Sequence, residues 1–343
     1  MAAGRRGAPC GGPLRHHARR ERPLAAIVLA LLASLGWGCS DFLGGLRTRS
    51  LPLRAVAGGM FAGGLLTAGL VTLLRGTGYP GNGFLVAGVI AGLSSLVAVT
   101  SLYKALAIGS MSIVAPINAA YPIVPVIYGL AQGERPSGLQ LAGMALVVAG
   151  VIVASYVRES ADALAAAHDV GSQEPAGLDR VTVVPMPDVG GGFVDRARAD
   201  ASSHQPRMLA SVVLAVVATL ASGSVLTALS SAAETDPYWA LIVVRAVALA
   251  GMLAIVFVTR AGLGARPAQV PLLLGIGALD TVATGFFAVA TTYGYLSVVA
   301  VIAALFPLGT MALAWLVLGE RMRPYQYAGV AAALTGVALV ALG

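Results

Sequence analysis

Cysteine, lysine and charge in general are scarce in this chain, and each shortage removes a class of protein. The two cysteines among 343 residues, Cys10 and Cys39, offer neither a disulfide framework nor a zinc-type spacing. Cys39 sits in an apolar run and is expected to pack as a small residue. Lysine occurs once, at Lys104, and only 11% of residues are charged, against about a quarter in ordinary soluble domains. All four histidines (His16, His17, His168, His204) lie outside the apolar runs, so those runs hold no His-based nucleophile or metal cluster. Phosphate-loop, His-Glu-x-x-His, nucleophile-elbow and EF-hand patterns are missing. Gly76-Thr77-Gly78-Tyr79-Pro80-Gly81 has the glycine spacing of a dinucleotide loop, but it joins two apolar runs rather than a strand and a helix. No ATPase engine, enzyme, cofactor or metal is expected. The formal charge of +7 comes from arginines in the N-terminal tail and between apolar runs, without aromatic interleaving, so nucleic acid is not an expected partner.

What the chain has is apolar length. It is 57% hydrophobic, with mean hydropathy +0.84. Ten apolar segments, each near the ~20 residues that cross a bilayer, run roughly 24–44, 53–74, 84–107, 110–130, 137–157, 207–230, 237–258, 268–291, 295–318 and 325–342. The expected fold class is therefore an all-α integral membrane protein with ten transmembrane helices. Arg19-Arg20-Glu21-Arg22 before the first segment resembles a secretion signal, yet the segment is a full crossing and lacks a small-residue cleavage site, so a retained first span is expected.

The chain is also written twice. An offset of 185 superposes Ala33, Leu35, Gly38, Ala105, Gly109, Ser112 and Pro122 on Ala218, Leu220, Gly223, Ala290, Gly294, Ser297 and Pro307. An offset of 186 then puts Gly133-Glu134-Arg135 on Gly319-Glu320-Arg321, and Gln140, Gly143 and Gly150 on Gln326, Gly329 and Gly336. The expected division is a basic disordered tail (1–22), a first five-helix repeat (23–157), a polar flexible linker (158–206) and a second five-helix repeat (207–343). Five spans per repeat invert the second copy in the membrane, an architecture of secondary transporters with the substrate at the repeat interface. Tail arginines with Arg75 and Arg135 favour a cytoplasmic N-terminus, although Arg47, Arg49, Arg54, Arg260, Arg266, Arg321 and Arg323 then lie outside.

Polar groups inside spans are costly and read first as functional. Asp280 is mid-span, with Thr284, Phe287 and Thr291 on its helical face; it either lines a cavity, pairs with Arg245 of the seventh span, or does both. Lys104 ends the third span and Asp41 the first, where Trp37 and Ser34 share its face; the two charges either pair or snorkel. Asn118 and Tyr121 need partners if buried, and Pro116, Pro122, Pro125 and Phe306-Pro307 either free carbonyls toward a cavity or kink the helices for packing. Gly59/Gly63 and Gly88/Gly92 are helix-packing pairs. The two Gly-Glu-Arg turns are expected to be interface anchors, not chemistry.

The duplication, the repeat-ending Gly-Glu-Arg turn, the following Gln-x-x-Gly and the opening Gly36-Trp37-Gly38-Cys39-Ser40-Asp41-Phe42 resemble the EamA-type transporters of the drug/metabolite transporter superfamily. The resemblance implies alternating-access movement of a small metabolite or drug across the plasma membrane without ATP, with both termini cytoplasmic. It also implies a cavity between the first, third, fourth, sixth, eighth and ninth spans, bringing Trp37, Asn118, Tyr121, Asp280, Phe287 and Phe306 toward the centre. A pore or a non-transporting scaffold is the alternative. The partners expected are a small solute and the lipid bilayer, and the protein is a monomer or a homodimer.

Overall fold

The computed structural model describes residues 23–48, 50–76, 78–108, 111–155, 192–319 and 323–343, which contain helix and turn but no strand. The tail 1–22 and the expected linker up to residue 191 fall outside the described residues. The first repeat holds α1 (Pro23–Thr48), α2 (Leu53–Arg75), α3 (Leu85–Ile108), α4 (Met111–Ala119), α5 (Ile123–Ala131) and α6 (Gly138–Ser155). The second holds α7 (Gly192–Ala233), α8 (Pro237–Val258), α9 (Val270–Tyr293), α10 (Leu296–Ala303), α11 (Phe306–Leu318) and α12 (Pro324–Leu342). Among the described residues they make ten spans long and apolar enough to cross a membrane. α7 begins inside the stretch expected as linker, where residues 193–205 contain neither Gly nor Pro to stop it; its membrane-length part is Met208–Ala233.

Local chemistry sets the helix ends. The Asp236 carboxylate accepts from the N–H groups of Tyr238 and Trp239 at 2.8 and 3.0 Å, with Pro237 in the first turn of α8. Gln140 and Gln326, matched by the duplication, accept from the N–H of Ser137 and Arg323, each at 2.9 Å. The repeated glutamine is thus a helix-start device. α2 ends at Gly76, whose φ of 63° no β-carbon opposes.

The fourth and ninth spans are each two helices. Pro122 and Pro307 lack the N–H that a continuous helix would send four residues back. At the first break Tyr121 instead donates to the Asn118 carbonyl at 3.1 Å; at the second Leu305 donates to the Ile302 carbonyl at 3.2 Å.

Packing runs between the repeats more than within them. α1 lies against α9, α3 against α7, α2 against α8 and α9, and α6 against α12. Glycines permit the approach. A β-carbon at Gly59 would meet the Leu273 side chain, and one at Gly63 the Leu274 backbone. Gly88 and Gly92 of α3 face Val243 and Val247 of α8 in the same way. In the α6–α12 crossing, a β-carbon at Gly143 would lie 2.6 Å from the Gly336 carbonyl and one at Gly150 2.6 Å from the Gly329 carbonyl. Since Gly143 matches Gly329 and Gly150 matches Gly336, these contacts exchange under a pseudo-twofold axis. Outside, Leu73, Phe257, Val258 and Leu342 are each more than three-quarters exposed, an apolar belt for lipid.

Candidate functional site: a cavity on the pseudo-twofold axis

The two broken spans meet at the axis. Tyr121 and Phe306, matched by the duplication, face each other with ring centroids 6.0 Å apart. Gly38 of α1 sits against the Phe306 carbonyl, and its counterpart Gly223 of α7 sits against the Tyr121 carbonyl. Each repeat's first helix therefore buttresses the other repeat's break.

Beside the breaks lies a cavity of ≈190 Å³. Three matched pairs line it: Trp37 with Ser222, Asp41 with Leu226, and Tyr121 with Phe306. Asn118 and Ser95 complete its polar lining. The geometry is symmetric and the chemistry is not, because one repeat contributes tryptophan, carboxylate and phenol where the other contributes serine, leucine and phenyl. Asp41 lies in the second half of α1, and Ala98 and Val99 in the second half of α3, so the cavity runs toward the face opposite Pro23.

Behind the Trp37 wall is a polar cluster. Arg245 and Asp280 form an ion pair at 2.5 Å, with side chains 7% and 16% exposed. Thr284 uses its whole hydroxyl there: it donates to the Asp280 carbonyl at 2.7 Å and accepts from Arg245 Nη2 at 2.8 Å and Trp37 Nε1 at 3.1 Å. The indole ring rests on Phe287 at 5.6 Å and meets Phe306 edge-on at 6.4 Å. Gly64 of α2 makes room for this cluster, since a β-carbon there would stand 3.0 Å from Arg245 Cδ.

The expected site residues thus divide three ways. Trp37, Asp41, Asn118, Tyr121 and Phe306 line the cavity. Asp280, Arg245, Thr284 and Phe287 form the layer behind it. Lys104 is exposed near the end of α3, away from the cavity lining, and makes no ion pair with Asp41, whose carboxylate accepts no hydrogen bond among the described residues. Sequence reasoning missed Ser222 and Leu226. The 185 offset from Trp37 and Asp41 was the signal that could have found them.

α10 is buried along its whole length, and the Glu134 carboxylate accepts from the N–H groups of Leu296 and Ser297 at 2.6 and 3.1 Å. A carboxylate of the first repeat caps a helix of the second, where the positive end of the helix dipole favours it. The turn was expected to anchor its own repeat's last helix at the membrane surface, and the contact Glu134 makes is instead with the other repeat. Its counterpart Glu320 lies outside the described residues.

The family model of the EamA-like transporter family matches residues 24–156 and 209–342, more than half of the chain, in two copies. No curated protein matches the sequence. One solved crystal structure has the same fold with a TM-score of 0.65 at 15% identity, covering 94% of this chain and 99% of its own. At that identity the likeness speaks for the fold alone.

Proposed function

The chain belongs to the EamA-like transporter family, a multi-pass membrane transporter family, and from that premise we propose that it carries a small solute through the axial cavity by alternating access. The observation that supports this most is the unequal burial of matched elements. α10 is entirely buried and capped by Glu134, whereas its counterpart α4 has Ile113, Ala115, Pro116, Ile117 and Asn118 only partly buried beside the cavity. In an inverted-repeat protein, exchanging those two environments turns a cavity open to one face into one open to the other. No ATP is consumed; the solute gradient or a coupled ion drives the cycle.

The membrane we propose is the cell membrane, with both termini cytoplasmic on the strength of the tail arginines. The cavity then opens outward and Glu134 shuts the cytoplasmic side. Reporter fusions at residue 343 should be active only when the reporter works in the cytoplasm.

The decisive experiment is counterflow. Metabolites that differ between cells with and without the gene are loaded into proteoliposomes of the purified chain, and exchange for external label is followed. Trans-stimulated exchange is the expected result. Flux without trans-stimulation describes a pore, and an absence of flux for all of them describes a scaffold; either outcome ends the carrier reading.

A further inference from the structure

The cavity holds an acid that none of the described residues neutralises. Asp41 is solvent-accessible at the cavity wall, and no cation among the described residues stands within ion-pair distance of it, the Arg245 guanidinium being engaged with Asp280. Asp280 is a second carboxylate within electrostatic reach of it. Two more groups beside it are unsatisfied: Asn118 Oδ1 and the Tyr121 hydroxyl are buried and have no hydrogen-bond partner. A carboxylate, a carboxamide and a phenol share one cavity; the carboxylate and the amide oxygen accept, and the phenol can accept or donate. What the described residues do not supply there is a positive charge.

From this we infer that the solute is a small organic cation, a protonated primary or secondary amine whose N–H groups go to Asp41, Asn118 and Tyr121. The inference rests on the transport reading above and names the substrate class of the same site. The rings of Trp37, Tyr121 and Phe306 flank the position with their π faces and edges, and such rings attract an ammonium within ~6 Å of their centroids. On the other side Leu226 and Val225 receive an apolar substituent. A bare divalent ion does not suit the site. The described residues hold no group of three acidic, histidine or cysteine side chains that could bind a metal, and a calcium-type shell needs 6–8 oxygens. Size limits the organic part as well, since ≈190 Å³ is below the ~300 Å³ at which drug-sized pockets begin.

The test uses the purified full chain in nanodiscs and three matched probe series: isopentylamine and 2-phenylethylamine, their alcohols, and their carboxylic acids. Affinities come from ligand-dependent thermal stabilisation. Each amine should bind at least tenfold more tightly than its alcohol and its acid. Asp41→Asn should lose at least tenfold in amine affinity, while Asp41→Glu keeps the preference for amine over alcohol. Amines that bind no better than alcohols, or an Asp41→Asn protein that binds them as well as the parent, would overturn the inference. If Asp41→Asn is not monodisperse, the parent's preference among the three series decides alone. Counterflow of labelled 2-phenylethylamine then separates the two readings. Carriage of a neutral or anionic solute with no amine preference sinks the cation and keeps the carrier; amine binding through Asp41 with no counterflow sinks the carrier and keeps the site.

Discussion

Arg245 and Asp280 are two charges placed in the middle of helices that cross hydrocarbon, and neither is tolerable there alone. Removing one partner of such a pair typically costs about 3–5 kcal/mol, because the survivor stays buried and uncompensated. Arg245→Met should therefore lower the melting temperature in detergent sharply, and Arg245→Met with Asp280→Leu should recover most of the loss. A double variant no more stable than the single one would show that the pair does more than neutralise itself. Thr284→Val strips the hydroxyl from which Arg245 and Trp37 both draw. It should weaken solute binding through a freed indole while costing about 1–3 kcal/mol of stability, the usual toll of orphaned buried donors. These residues were legible in the sequence as polar groups where polarity is costly. Their division into cavity wall and supporting layer was not, because helical spacing says which residues share a face and not what that face meets. For this reason the sequence left Asp280 open to lining the cavity, to pairing with Arg245 or to both, and the structure shows the pair. The same limit kept Lys104 in play as a partner for Asp41, when its side chain ends at the exposed end of α3.

Among the helices, contact depends on what glycine omits. Gly143→Ala would press a methyl on the Gly336 carbonyl and should lower the melting temperature, whereas Gly275→Ala meets nothing within 4 Å and should leave it unchanged. Gly59/Gly63 and Gly88/Gly92 could be read as packing sites from their spacing of four, and all four face helices of the other repeat. Gly143 and Gly150, seven apart, were visible only as repeated letters. The broken spans show a similar boundary of legibility. Pro116 and Pro125 stay inside α4 and α5, while Pro122 and Pro307 divide their spans. Proline type alone does not distinguish these cases; what distinguishes them is Gly38 and Gly223, which bring a neighbouring helix against each break. Glu134→Gln gives α10 a neutral cap in place of a charged one and should loosen the Pro23 face. In a chain with Cys10 and Cys39 replaced by serine, a reporter at Ala300→Cys, fully buried in the parent, should label faster with a maleimide when Glu134 is Gln. Unchanged labelling would mean that the cap does not hold that face shut.

At the scale of the molecule, ten spans and the internal duplication were readable from apolar length and a fixed offset, because both are one-dimensional properties. How the copies engage was not, since no sequence period records that α1 seeks α9, α3 seeks α7 and α6 seeks α12. The repeats interlock, and neither owns a separate core: the main buried cluster draws on Ala26 to Val151 of one and Leu226 to Val340 of the other. A chain cut at Gly177, outside every described helix, should give two fragments that copurify and restore transport when made together, and that are each degraded when made alone. Survival of one fragment as a monodisperse protein would argue for separable domains. This interlocking also has a meaning in time. A ribosome finishes α1 to α6 before it starts α7, so half of the protein must wait in the membrane with its glycine faces bare and Asp41 unsheltered until its mate is translated. A chaperone that protects such half-made bundles, or simply a pause in the stretch between the copies, would govern how much of this transporter a cell obtains.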